Sequence, residues 1–297
     1  MALTDEEFLE QAWRLVLQRE PDEAGRDEGL ERLRSGRISR ASYLAELVAD
    51  APFARVRALD DAFAYARLHA RSRPRDLRAP GFADERAIEI PWVLTRYDGE
   101  RRVLDVGTVF AERAYVAGLR ELGAELTTVD LADGADVVAD VRDLPFEDGA
   151  FDLAFCVSTL EHVGRDNSTY AVDAPREEAG DEAALRELRR VASRVLVTVP
   201  TGVRDDQGWQ LQREPLEWIE LFERAGFSVY EDELYVRTGD GWQSGSLHEA
   251  AQATYGEHGA GAVLLAELRP ATVGEKLRLA VRDVRHRDVV RRSTLVP

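Results

Sequence analysis

Between residues 101 and 270 short apolar runs alternate with amphipathic stretches, and this alternation constrains the fold more than any other feature. Residues 103–106, 126–131, 136–140 and 151–157 read as strands, as do 195–199, 227–236 and 262–268. Residues 111–122, 182–192 and 216–225 carry apolar side chains at helical spacing, and Gly123 and Gly226 close the first and last of these. A strand that must pass through a helix before the next strand cannot close a hairpin. It crosses over, which makes the two strands parallel neighbours. The pattern predicts an α/β fold, a doubly wound sheet with helices on both faces. Ligands in such sheets sit outside the carboxyl ends of the strands, so functional residues are expected just after strands.

Four strand ends carry such residues. The first is Val103-Leu104-Asp105-Val106-Gly107, where Gly107 lets the backbone turn sharply and approach a ligand closely. The second is Thr127-Thr128-Val129-Asp130, followed by Leu131. A carboxylate there can accept both ribose hydroxyls of a nucleoside. The third is Asp140-Val141-Arg142-Asp143-Leu144-Pro145-Phe146, in which Asp140 can accept from an adenine amino group while Val141 lies against the ring. The fourth runs from Phe151 through Cys156 into Val157-Ser158-Thr159-Leu160-Glu161-His162-Val163. His162 has the side chain best suited to removing a hydroxyl proton near neutral pH, a structural hydrogen bond being its other reading. Cys156 reads as core.

Together these segments resemble the cofactor-binding core of class I methyltransferases dependent on S-adenosylmethionine (SAM). The resemblance rests on Leu104-Asp105-Val106-Gly107, Asp130, Asp140–Phe146, Phe151-Asp152-Leu153, Leu160-Glu161-His162-Val163 and the helix Ala184–Val191, and covers about 170 residues. It implies a Rossmann-like sheet over residues 84–270 and SAM as cofactor. It places Asp105, Gly107, Thr108, Asp130, Leu131, Asp140, Val141, Ser158 and Thr159 at SAM and His162 at the acceptor. The expected function is O-methylation of a small-molecule or sugar acceptor, with no metal assigned. The chain departs from the family in its first turn, Gly107-Thr108-Val109-Phe110-Ala111, which keeps one glycine of Gly-x-Gly-x-Gly. Ala192-Ser193-Arg194 replaces the usual Pro-Gly-Gly turn. A catalytically degenerate SAM-binding or scaffold protein in a glycan-synthesis complex is therefore a second reading. A nicotinamide-dependent oxidoreductase is weaker, because it would want Gly-x-Gly-x-x-Gly at that turn.

Residues 1–70 read as four short helices, opened by the capping box Thr4-Asp5-Glu6-Glu7 and interrupted at Pro21, Gly36 and Pro52. Ala12–Asp22 with Gly25, Leu33, Gly36 and the 43–52 stretch resembles the small helical domain DUF4214, which implies a packing or docking module. Residues 71–83 are basic and aperiodic and read as a linker. The long polar stretch 164–180 reads as a lid, with Tyr170, Asp173 and Arg176 as candidates for substrate contact. Trp209 and Trp242 flank later loops. Residues 271–297 hold seven basic and three acidic residues on a helical pattern. That tail reads chiefly as packing on the acidic body, with membrane-surface contact as the second reading. The net charge of −17 repels phosphate backbones, so nucleic acid is not expected as a substrate. A single cysteine and a start without a signal-peptide pattern favour the cytoplasm.

Overall fold

The computed structural model describes residues 3–16, 21, 23–49, 61, 64–65, 68–69, 71–109, 111, 113–121, 123–170, 172, 174–256 and 259–272. The helix expected from Pro52 falls mostly outside the described residues, and the basic tail does so from residue 273 onward.

Helices α1 (Asp5–Val16), α2 (Glu23–Arg34) and α3 (Arg40–Ala49) form the first unit. The capping box forms as expected, with the Glu7 N–H donating to Thr4 Oγ1 and the Thr4 N–H to Glu7 Oε2. Leu9, Trp13, Leu30, Leu33, Tyr43 and Leu47 share a small core of their own. Trp13 Nε1–H finds its partner there in Tyr43 Oη, at 2.9 Å.

The α/β unit opens with α4 (Arg86–Thr95), which is buried almost all round. The sheet comprises β1 (Arg102–Val106), β2 (Glu125–Asp130), β3 (Val137–Val138), β4 (Leu153–Val157) and β5 (Val195–Pro200), all parallel, then β8 (Phe227–Thr238), β9 (Gly241–Ser244) and β10 (Ala262–Pro270). Its order is β3-β2-β1-β4-β5-β10-β8-β9, and β10 runs antiparallel to both of its neighbours. A small hairpin, β6 (Asp205–Asp206) with β7 (Leu211–Gln212), lies outside the sheet. Three further helices complete the unit: α5 (Arg113–Glu121), α6 (Gly180–Val191) and α7 (Pro215–Arg224), with the short α8 (Leu247–Ala251) preceding β10.

The period-2 pattern of the strands accounts for the layers. Leu104, Val106, Ala154, Cys156, Val197 and Val199 pack on one side with Leu185, Leu188, Trp218 and Phe222 of α6 and α7. Val103, Leu153, Phe155 and Leu196 pack on the other with Ile88, Ile90 and Trp92 of α4 and Tyr115 and Leu119 of α5. Both faces are buried, as a crossover sheet requires.

The linker expected at 71–83 is instead docked on the sheet. Leu77 is buried, and its N–H donates to Tyr235 Oη. Ala79 bridges antiparallel to Trp242, and so covers the exposed edge of β9. Arg73 pairs with Glu267 at 3.0 Å and with Asp98 at 2.6 Å. Arg73 and Arg75, whose charges suggested solvent, answer carboxylates on the body, and Arg78 donates to Gln243 Oε1. Trp242 also belongs to the core, with Nε1–H donating to Ala83 O.

Candidate active site

A cavity of about 190 Å³ opens at the carboxyl ends of β1, β2 and β4. Three segments that are distant in sequence build its walls: α4, the turns after the strands, and the stretch 163–174. Asp105, Gly107, Asp130, Leu131, Asp140, Val141, Ser158, Thr159 and His162 all line it. Thr108 does not line the cavity. It is buried behind the first turn, and its Oγ1 donates to Asp105 Oδ2 at 2.8 Å.

Asp105 ends β1 at 2% exposure and also accepts from Tyr115 Oη at 2.9 Å. Burial pushes its carboxyl up to about 7, against the two hydroxyl donors that favour the charged form. Gly107 follows with φ +79°, and a side chain there would collide with Thr159. The glycine therefore serves the close packing of two strand-end turns as well as the cavity wall.

Asp130 ends β2 with each oxygen fixed by one backbone donor, Val109 N–H on Oδ2 at 2.9 Å and Ala132 N–H on Oδ1 at 3.0 Å. The first turn and the strand-two acid are thus tied together, and each oxygen keeps further acceptor capacity. Asp140 differs. Its carboxylate takes the Arg142 backbone N–H and a bidentate grip from the Arg142 guanidinium, which holds it below the usual carboxylate range. Those contacts occupy the lone pairs expected for an adenine amino group. Arg142 also reaches Pro175 O and Glu177 of the loop at 3.0 Å, so it joins the strand-three turn to the 164–180 stretch. That stretch is pinched at its base, where the Gly164 and Gly180 backbones touch.

Ser158 is left-handed at φ +41°, and its Oγ donates to Glu89, 2.7 Å away and fully buried on α4. Glu89 also holds Arg86, which lines the cavity, at 2.7 Å. Thr159 Oγ1 is turned onto backbone carbonyls, including Val106 O at 3.2 Å. His162 lies in a short 3-10 turn, Leu160–His162. Its Nδ1 lies 3.1 Å from Trp209 O, and a carbonyl only accepts, so Nδ1 carries the proton and Nε2 is the free acceptor nitrogen. The ring stacks on Trp209 and meets Tyr170 edge-on. Burial pushes the imidazole down to about 4, so it is neutral at pH 7. Trp209 in turn meets Tyr255 edge-on, and the four rings form an aromatic wall of which His162 and Tyr170 line the cavity.

Arg86, Ile90, Tyr115 and Asn167 line the cavity but were not among the residues the sequence motifs marked. The signal for Arg86 was present: Arg86 and Glu89 are the only charges in the apolar run 86–94. Charges inside such a run must be paired or must line a site. Of the loop candidates, Tyr170 lines the cavity and Arg176 pairs with Asp166 outside it. Asp173 lies outside the described residues.

Residues 104–194 match a family described as a methyltransferase domain. Among solved structures, the chain is similar to the 1,6-didemethyltoxoflavin-N1-methyltransferase of Burkholderia thailandensis, solved with 1,6-didemethyltoxoflavin and S-adenosylhomocysteine bound. Identity is 15% and the TM-score 0.39, over 59% of this chain and 73% of that one. It is also similar to a SAM-dependent methyltransferase from Methanosarcina mazei, at 12% identity and TM-score 0.41, over 61% and 97%. No curated protein matches the chain.

Proposed function

We propose that this SAM-dependent methyltransferase O-methylates a small-molecule or sugar acceptor, with His162 as the general base. The observation that carries the reading is the set of groups that line one cavity. Asp130, fixed by two backbone donors with acceptor capacity to spare, suits a ribose diol. Asp105 and Arg86, which both line the cavity, supply a carboxyl and a guanidinium for the amino and carboxylate groups of the methionine portion. Leu131 and Val141 add apolar surface for the adenine. The residues therefore fit SAM, which when bound supplies a methyl group on a good leaving group. What remains for the chain is to position the acceptor and take its proton. A neutral His162, with Nδ1 pinned to Trp209 O, presents one acceptor nitrogen in a fixed orientation. The ring of Tyr170, which meets it edge-on and lines the same cavity, suits a flat or sugar-like acceptor.

Asp140, on this reading, orients Arg142 and the loop rather than the adenine. The buried, unpaired Cys156 fits a reducing compartment, and we place the protein in the cytoplasm. No helix among the described residues is long and apolar enough to cross a membrane. We assign the DUF4214-like helices to docking or packing. Titration calorimetry with SAM and S-adenosylhomocysteine tests the reading. Binding of both is expected, and a chain that binds neither would instead favour the scaffold role.

A further inference from the structure

Glu161 is adjacent to the proposed base and has no part in the reading above. It is 3% exposed, and its Oε2 has no hydrogen-bond partner among the described residues. Leaving a carboxyl oxygen orphaned inside a protein is costly. A glutamine or an apolar side chain would serve better if the position were only packing. Its other oxygen, Oε1, lies 3.7 Å from His162 Nε2, the one ring nitrogen left free by the bond to Trp209 O. The 3-10 turn thus sets the carboxyl beside the only basic atom of the imidazole.

We propose that Glu161 and His162 form a single proton-accepting dyad at the acceptor end of the cavity, with Glu161 as the positioning residue that makes His162 a competent base. This rests on His162 facing the acceptor, as proposed above. An imidazole buried in this wall resists protonation, because a lone imidazolium there has lost its water. A carboxylate beside Nε2 offsets that charge inside the protein, where the attraction is stronger than in water. In the step itself the acceptor O–H bond breaks heterolytically. The proton goes to Nε2, and the electron pair stays on the acceptor oxygen as the nucleophile. Glu161 carries the balancing negative charge, and the proton then leaves to water.

The groups facing Glu161 set when this form exists. Arg86 and Glu89 face it from α4, Glu85 from the position just before that helix, Cys156 from β4, and Tyr170 and Tyr255 from the loops. Burial first, then the neighbouring Glu89, pushes its carboxyl up to about 8, while Arg86 opposes the rise. At neutral pH the proton that titrates sits on the carboxyl, beside a neutral ring that keeps its own on Nδ1. The base-competent form, ionised Glu161 beside neutral His162, grows in as the pH rises through about 8.

The test uses the full chain with nitrogen-15-labelled histidine, the His162 ring signals being assigned by their loss in His162→Gln. The ring is expected to stay neutral down to about pH 5 and its Nε2 signal to move in one step near pH 8. That step should vanish in Glu161→Gln and persist with a shifted midpoint in Glu161→Asp. A wild-type ring with a single ordinary titration near neutrality, or an unchanged step in Glu161→Gln, would overturn the dyad. Should Glu161→Gln not fold, the wild-type and Glu161→Asp titrations decide on their own. Calorimetry with S-adenosylhomocysteine on the same sample judges the methyltransferase reading separately. A sample that shows the step yet fails to bind would overturn the dyad's role in methyl transfer along with that reading.

Discussion

Asp105→Asn should make the fold less sensitive to alkali. Asp105 is almost fully buried, between Thr108 Oγ1 and Tyr115 Oη, and its carboxyl rises from 3.8 to about 7 on folding. Burial is the main cause, and the two hydroxyl donors reverse only part of it. The folded chain therefore holds this proton more tightly than the unfolded chain does. The associated stability is fully present below about pH 4 and is lost as pH rises through about 7. The rise from 3.8 to about 7 corresponds to about 4 kcal/mol, of which about 2–3 kcal/mol falls between pH 5 and 8. An amide of the same shape cannot ionise, and it still offers Tyr115 and Thr108 polar partners. Urea unfolding of wild type and variant in parallel at about pH 5, 6, 7 and 8 reads the difference. The variant should gain about 2–3 kcal/mol on wild type across that range and level off above pH 7. An offset constant to within about 0.5 kcal/mol would refute the argument, because Asp105 would then titrate alike in both states.

Other expectations follow from the same geometry. Gly107→Ala must adopt a positive φ and meets Thr159, so it should destabilise the chain by about 2–4 kcal/mol in denaturant unfolding. Asp130→Ala should weaken S-adenosylhomocysteine binding by about 1–3 kcal/mol in calorimetry, and unchanged affinity would remove Asp130 from the site. Glu267→Gln leaves Arg73, Arg194 and Arg269, at 3.0, 2.9 and 2.7 Å, without their shared carboxylate. Because Glu267 and Arg194 are buried, the loss should be about 3–5 kcal/mol at neutral pH, read by urea unfolding.

The sheet was legible in the sequence because both of its faces are buried, so its strands appear as short apolar runs set off by turns. The runs at 103–106, 126–131 and 195–199 differ from the observed strands by one residue at each end at most. Direction was less legible. β10 is apolar along its length like the parallel strands, with Ala262 to Leu268 buried, so burial alone does not say that it runs backwards. What reverses it is the hairpin: β8 turns directly into β9 through Gly239-Asp240, and the connection carrying the short α8 then crosses over β8, so that β10 runs in the direction of β9 and antiparallel to β8 between them. The docked stretch 71–83 misled for a related reason. Arginine and proline mark solvent unless acids wait on the surface they meet, and Glu231 and Glu267 lie more than 150 residues downstream.

The site divides along the same line. Residues whose role is fixed by the strand end itself, Asp105, Gly107 and Asp130, could be found by position, because a crossover sheet puts every such end at one edge. Residues whose role depends on a partner elsewhere could not. Asp140 reads as an adenine acceptor until Arg142, two residues on, is seen to hold both of its oxygens. Ser158 lines the cavity, but that its hydroxyl is donated to Glu89, 69 residues earlier, could not be read from the motif. His162 shows both halves of the rule. Its place after β4 marked it as a candidate base. Which of its nitrogens is free, and that it is neutral at pH 7, depends on Trp209, 47 residues later and on a different loop. A strand-end motif therefore locates a candidate group, and its tautomer, charge and direction come from the tertiary partner that occupies its other atoms.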